Sequence, residues 1–189
     1  VFINSYENAS RYQFYTGEPA HTLSTFYFNN TQFDYWGYED YFRGEPVFVV
    51  HNKRGQDFYQ TIDAPNGAQI HFRRFRKFNA LDKIQVTPIA IELSEDKTQL
   101  VGKIKIENPY DFDILSSRRE PVQLLLYSLK GERVLAERVL LSDLNIVSKG
   151  ALILNFEVVL PEIQSDTQLR FSVSSGNLPG TINSERIKV

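Results

Sequence analysis

From residue 84 onward, apolar and polar side chains alternate in short segments separated by turn residues. In the clearest case, Ile104 and Ile106 alternate with Lys103 and Lys105. Successive side chains of a strand point to opposite faces of a sheet, so this pattern predicts strands with one buried face. Seven such strands are predicted, at 84–93, 100–107, 122–129, 133–140, 151–160, 168–173 and 182–189. Their number and spacing favour an immunoglobulin-like antiparallel β-sandwich, without the Cys and Trp hallmarks of antibody domains.

The first 80 residues have a different pattern. Residues 1–3 favour a strand, Ser5 is a good N-cap for a helix over 6–16, and Gly17 is a natural residue to end that helix. The continuous apolar run at 46–51 is typical of a strand covered on both faces, as in a parallel sheet. The sequence therefore predicts an α+β fold, with a small α/β (βαβ-like) unit at 1–80 and the seven-stranded β-sandwich at 84–189.

Other segments of the first part are less regular. Residues 22–28 are predicted to be extended, and 34–42 to form a loop or a short helix. Pro65, Asn66 and Gly67 predict a turn before a further extended stretch at 69–78.

Composition supports the division into two unlike parts and excludes several functions. The 14 Phe, 10 Tyr and single Trp are concentrated in the first 80 residues, and only Tyr110, Phe112, Tyr127, Phe156 and Phe171 lie beyond them.

The net charge of −2 gives no reason to expect nucleic acid as a partner. The absence of Cys excludes disulfides and thiol catalysis. No segment approaches the ~18 apolar residues of a transmembrane helix. Because the chain has no Met and starts inside a predicted strand, we expect a fragment of a longer protein.

The stretch around Trp36 is the first candidate site. Tyr35, Trp36 and Tyr38 could stack on the apolar faces of sugar rings, with Asp34 as a polar neighbour. Carboxylates beside aromatic rings, here Asp34, Glu39 and Asp40, also occur in glycosidases, but the spacing is generic. A solvated, tyrosine-rich loop is the simpler interpretation.

The basic run at 73–77 is the second candidate site. Arg73, Arg74, Arg76 and Lys77 are interleaved with phenylalanines and could contact phosphate or the anionic surface of a bilayer. The simpler interpretation is a solvated edge strand, because charged residues protect sheet edges from aggregation.

The sequence contains no recognisable catalytic site. His21, His51 and His71 lack the close spacing of helical zinc motifs, so no metal site is expected. No serine lies in a nucleophile elbow, and no glycine-rich loop precedes a helix as a phosphate site requires. We therefore assign no catalytic residue, no metal ligand and no cofactor.

The opening VFINSYENASRYQFYTG resembles a segment of membrane glycosyltransferases of the dolichyl-phosphate-mannose-protein mannosyltransferase type, and the bacterial, Bacteroidetes-like members are the most similar. In that family the segment follows the last transmembrane helices and opens a soluble extracytoplasmic domain. Four later stretches resemble the family in the same order, at 30–36 (NTQFDYW), 46–50, 78–88 (FNALDKIQVTP) and 178–184 (LPGTINS).

The resemblance implies that the parent protein transfers a sugar from a polyprenyl-phosphate donor outside the cytoplasm. The family's catalytic acid lies in a loop among the transmembrane helices, and no part of this chain matches that loop. The chain is thus expected to be a non-catalytic domain at the periplasmic face of a bacterial inner membrane. Its expected partners are its own transmembrane domain, a lipid-linked sugar or glycan, and the membrane surface. The alternative is a free-standing carbohydrate-binding module that uses Tyr35, Trp36 and Tyr38.

Overall fold

The structure is a computed structural model that describes the chain except for residues 4, 24–37, 52–59, 132, 161–162, 164–165, 177, 179 and 189 and the side chains of Tyr38 and His51. The chain is rich in β-structure and contains several sheets built mainly from antiparallel pairs. It divides into two compact units, Val1–Ala80 and Leu81–Val189.

The first unit contains the predicted helix with both predicted caps. Helix α1 spans Tyr6–Thr16, and the Ser5 side chain accepts a hydrogen bond from the backbone N–H of Asn8. Gly17 adopts a left-handed φ of 73° and donates its N–H to the carbonyl of Gln13. A residue with a Cβ would adopt this backbone conformation only at a cost in free energy. A second helix, α2, spans Tyr38–Tyr41, within the segment predicted as a loop or short helix.

A four-stranded mixed sheet lies beside α1 in the first unit. Its strands are β1 (Phe2–Ile3), β2 (Val47–His51), β3 (Gln60–Asp63) and β4 (Gln69–Phe75), in the order β1-β2-β4-β3. Strands β1 and β2 are parallel, while β4 pairs antiparallel with both β2 and β3. The sequence does not reveal β3, because its four residues are all exposed and it shows no buried alternation.

The two faces of this sheet are covered unequally. On one face, Phe2, Val47, Val49 and Phe75 are buried. On the other, Ile3 packs with Ala9 of α1, Ala20 and the half-buried Val50. The prediction that β2 is covered along both faces is wrong, since Phe48 is 44% exposed.

The described part of the second unit contains seven strands in two antiparallel sheets. Strands β5 (Gln85–Leu93), β6 (Gln99–Glu107) and β9 (Ala151–Val159) form the order β5-β6-β9. Strands β7 (Val122–Lys130), β8 (Arg133–Leu141), β10 (Gln168–Ser175) and β11 (Ile187–Lys188) form the order β11-β10-β7-β8. The first six lie close to their predicted positions, but the strand predicted at 182–189 is reduced to the two residues of β11.

One apolar cluster is shared by the two sheets of the second unit. Ile104 and Leu100 of β6 and Leu126 of β7 belong to it and are fully buried. Phe156 of β9 meets Phe171 of β10 edge to face, with the ring centroids 5.7 Å apart. Burial of this many large apolar side chains is the main stabilising contribution to this unit.

The segment that precedes β11 does not form a strand because its polar groups bond elsewhere. Residues 178 and 180–183 lie along β10, where the Ser172 and Ser174 hydroxyls donate to the carbonyls of Thr181 and Leu178. A Cβ added at Gly180 would collide with the Ser172 hydroxyl, so the close approach requires glycine there.

Asn183 connects this returning segment to the start of the unit. Its side-chain amide donates to the carbonyls of Leu81 and Ile84, each at 2.9 Å. Its side-chain oxygen accepts from the backbone N–H of Val173 at 2.6 Å, and its backbone carbonyl accepts from Val86 at 2.7 Å. The side chain is 5% exposed, so these bonds are made in a desolvated site.

We predict that Asn183→Ala lowers the free energy of unfolding by about 3 kcal/mol, because it leaves several buried polar groups without partners. Urea unfolding of the full chain measures this value. The control is Asn155→Ala, at an exposed position on β9, which should change it by less than about 0.5 kcal/mol. Equal stability of the two variants would contradict the role given to Asn183.

His21 is a second buried polar residue, in the first unit. Its backbone bonds to Val1 and Ile3, and its ring lies 5.8 Å from the ring of Phe2 and 5.2 Å from that of Phe42. Burial among these rings lowers the pKa of His21. The folded protein therefore holds His21 neutral at a pH where the unfolded chain would protonate it.

We predict that this difference makes stability depend on pH below the ordinary His pKa of 6.5. A depressed folded-state pKa means that the unfolded state binds more protons, so stability is complete above about pH 6.5 and falls as the pH drops through it. Urea midpoints at pH 7.5 and 5.5 measure the loss for the wild type and His21→Phe, which keeps a ring but cannot titrate. An equal loss in both proteins would assign it to other groups.

Candidate binding surfaces

A groove with mixed polar and apolar walls lies in the described part of the second unit. Its volume is about 1120 Å³, and residues 82–88 and 182–187 form most of its walls, with Pro109 and Arg170. One wall is the start of β5 with the residues before it, and the other is the segment that leads into β11. The bonds of Asn183 to Leu81, Ile84 and Val86 hold the two walls together.

Hydrogen bonds also fix the side chains and backbone at the groove. The Tyr110 hydroxyl accepts from the backbone N–H of Lys83 and donates to the carboxylate of Asp82, both at 3.1 Å. On the other wall, Nε of Arg170 donates to the carbonyl of Ser184 at 3.0 Å. Charges of both signs line the groove, so it suits an extended polar ligand better than a small anion.

The basic run at 73–77 does not form one cluster. Arg73 lies on the buried face of the sheet, with its guanidinium carbon 4.7 Å from the ring centre of Phe75. Arg74 lies on the opposite face, 6.0 Å from the ring centre of Phe48. Arg76 and Lys77 follow β4 in an exposed bend. Only the last three cations are available to a ligand.

The interpretation of this run as an edge strand stays a prediction. Strand β4 lies between β2 and β3, but β3 pairs only with Gln69–Phe72, so among the described residues Arg73 and Arg74 are paired on the β2 side alone. Its charges are tolerated there because Arg73 covers an aromatic ring and Arg74 points to solvent.

Most of the predicted sugar site falls outside the described residues. This holds for Asp34, Tyr35 and Trp36, while Tyr38 begins α2 and its side chain is not described. Of the neighbouring acids, Glu39 is buried and Asp40 forms an ion pair with Arg43. A glycosidase pair at Asp34 or Asp40 thus stays a prediction.

The histidines are placed separately from any cluster of acidic residues in the described ranges. His71 is buried, and its Nδ1 lies 2.8 Å from the hydroxyl of Thr61. His51 is opposite His71 in the β2–β4 register. Among the described residues, no three His, Asp or Glu side chains are close enough to hold a metal ion.

Sequence reasoning missed the groove and several exposed rings. The groove depends on contacts between residues about a hundred positions apart, which no local pattern reports. Phe14 and Tyr15 at the end of α1 are more than 80% exposed, and Tyr41 is 79% exposed. Helical spacing could have found the first two, since they lie away from the side of α1 that carries Ala9 and Tyr12.

Comparisons with known proteins add little to this description. No protein-family model matches the chain, and no curated protein matches it. Among solved structures, the chain is similar to the solution structure of a protein described as a late embryogenesis abundant (LEA) protein, at 13% identity and a TM-score of 0.25. That match covers 57% of this chain and 71% of the other, and a likeness this weak carries no argument. In the described ranges, neither helix is long and apolar enough to cross a bilayer.

We predict that the two neighbouring arginines of β4 differ in their contribution to stability. Arg73→Gln should lower the free energy of unfolding by about 1–2 kcal/mol, because a half-buried cation–π contact and the packing of its stem are lost. Arg74→Gln should change it by less than about 0.5 kcal/mol. Thermal and urea unfolding of the full chain measure both values, and a reversed order would contradict the placement of the two side chains.

Proposed function

We propose that this chain is an accessory extracytoplasmic domain of a membrane glycosyltransferase that uses a polyprenyl-phosphate sugar. The domain is non-catalytic by itself and helps to cover the active site or to position acceptor or donor. The observation that carries the proposal is the groove. Residues 82–88 and 182–184, which belong to two stretches that resemble the family, are distant in sequence and yet line the same groove, together with 185–187.

The finer description of the fold belongs to the same proposal. Parallel pairing of β1 with β2, with α1 in the connection between them, supports a βαβ-like first unit. Two antiparallel sheets that share one apolar cluster support an immunoglobulin-like sandwich for the second unit. A sandwich of this kind presents binding segments at its ends and edges, where the groove lies beside the start of β5 and the short β11.

The groove suits the positioning of a substrate better than catalysis. Its polar side chains, among them Gln85, Thr87 and Glu185, can bond to hydroxyl groups of a glycan. Asp82 already accepts a hydrogen bond from Tyr110, which favours a role in holding the wall. The transfer step itself is assigned to the transmembrane part of the parent protein.

We predict that Thr87→Trp, which fills the groove from an exposed position on β5, raises the KM for acceptor or donor at least about threefold and leaves kcat unchanged, because it removes binding and no chemistry. Sugar transfer is measured with the full-length protein in membrane vesicles and a polyprenyl-phosphate sugar. The matched control is Glu92→Trp, exposed on the same strand but outside the groove.

Two results would count against the proposal. An unchanged KM in Thr87→Trp would remove the groove from substrate binding. A coding sequence upstream of Val1 without several hydrophobic spans of ~20 residues would remove the glycosyltransferase itself. A signal peptide alone in that region, together with a change in Trp36 fluorescence on adding glycans, would favour the carbohydrate-binding module that uses Tyr35, Trp36 and Tyr38.

A further inference from the structure

Among the described residues of the first unit, part of one sheet face is left exposed. Phe48 lies on the same face of β2 as Val50, and the register places Phe72 opposite Val50, Arg74 opposite Phe48, and Ile70 opposite Ile62. Because alternate residues of a strand share a face, these residues all lie on the side of the sheet that α1 covers at Ile3 and Val50. We call Phe48, Ile62, Ile70, Phe72 and Arg74 the open face.

The apolar side chains of the open face are exposed and adjacent to one another. Phe48 is 44% exposed, Ile62 54% and Ile70 42%, while Phe72 is half-buried. The rings of Phe48 and Phe72 are 6.3 Å apart, and Ile62 and Ile70 form a cross-strand pair. Single exposed apolar residues are common on proteins, but a contiguous group of this kind marks an interaction surface.

The charge of the open face has one sign. Arg74 is its only charged residue, and Arg76 and Lys77 follow directly after β4. Among the ion pairs of the described residues, none includes any of these three cations. The partner of this surface must therefore accept rings and branched aliphatic side chains together with positive charge.

An anionic bilayer meets these requirements better than other partners. A glycan would need several hydrogen-bonding groups. On this face of β3 and β4, however, the polar side chains are those of Arg74 and Gln60. An added peptide strand would use a sheet edge and not a face. A second copy of the chain would bring the arginines of the two open faces together. On a bilayer, Arg74 can lay its stem over Phe48 and reach the lipid phosphates.

We propose that the open face rests on an anionic membrane, with Phe48, Ile62 and Ile70 at the level of the headgroups and Arg74 bound to lipid phosphate. This inference rests on the proposed function, since a domain tethered beside a bilayer can use a weak surface contact. The contact orients the first unit and adds to the attachment that the transmembrane helices supply.

Sedimentation with vesicles tests the inference on the full 189-residue chain. We expect binding to phosphatidylcholine vesicles containing about 30% phosphatidylglycerol, and much weaker binding to phosphatidylcholine alone. Ile62→Ser combined with Ile70→Ser, and separately Arg74→Glu, should each lower the partition coefficient about tenfold. The matched controls are Ile153→Ser and Lys103→Glu, exposed positions on the second unit, which should change it less than about twofold.

A fluorescent label gives a second readout that does not depend on these variants. The chain has no cysteine, so Ile62→Cys and Ile153→Cys can each carry one environment-sensitive fluorophore. We expect a blue shift on anionic vesicles at position 62 and none at position 153. Equal binding to both kinds of vesicle, unchanged binding of the open-face variants, or a shift at position 153 alone would overturn the inference.

This test can fail separately from the proposed function. If the upstream sequence encodes transmembrane spans and the vesicles are not bound, the open face has another partner while the glycosyltransferase proposal stands. If the spans are absent and the vesicles are bound, the glycosyltransferase proposal is wrong and the chain is a peripheral membrane protein.

Discussion

The buried amide of Asn183 is the interaction on which the arrangement of the second unit depends. It bonds to Leu81, which is 102 residues earlier in the chain, and to Ile84, and it accepts from Val173 of β10. A backbone that enters the interior without a strand partner must satisfy its polar groups in another way. Here one side chain satisfies several of them, and the last segment is thereby held against the start of β5.

The groove is a consequence of that arrangement. Its walls are the start of β5 and the segment before β11, and the bonds of Asn183 to Ile84 and Val86 join them. Because Tyr110 bonds to both Asp82 and Lys83, the wall at β5 is also fixed from the side of residue 110. If the groove binds a ligand, as proposed above, these supports keep the reorganisation on binding small.

The first unit is governed by a different constraint, the area that one short helix can cover. Helix α1 has 11 residues, and it packs near the ends of β1 and β2, against Ile3 and Val50. The rest of that face, on β4 and β3, keeps apolar side chains beside Arg74. The aromatic richness of the first 80 residues thus divides into a packed part, in which Phe2 stacks on Phe78 with the ring centroids 4.6 Å apart, and an exposed part.

The sequence by itself determined the local elements, because their signals are local. Ser5 and Gly17 bound α1 as predicted, and alternation placed six strands of the second unit within about two residues, since burial of one face imposes a period of two. The tertiary structure alone decided which faces are covered. It put β4 inside the sheet, separated Arg73 from Arg74, and replaced most of the predicted strand at 182–189 with the bonds of Asn183. These outcomes depend on pairings between distant residues, and no local pattern of side chains encodes a distant partner.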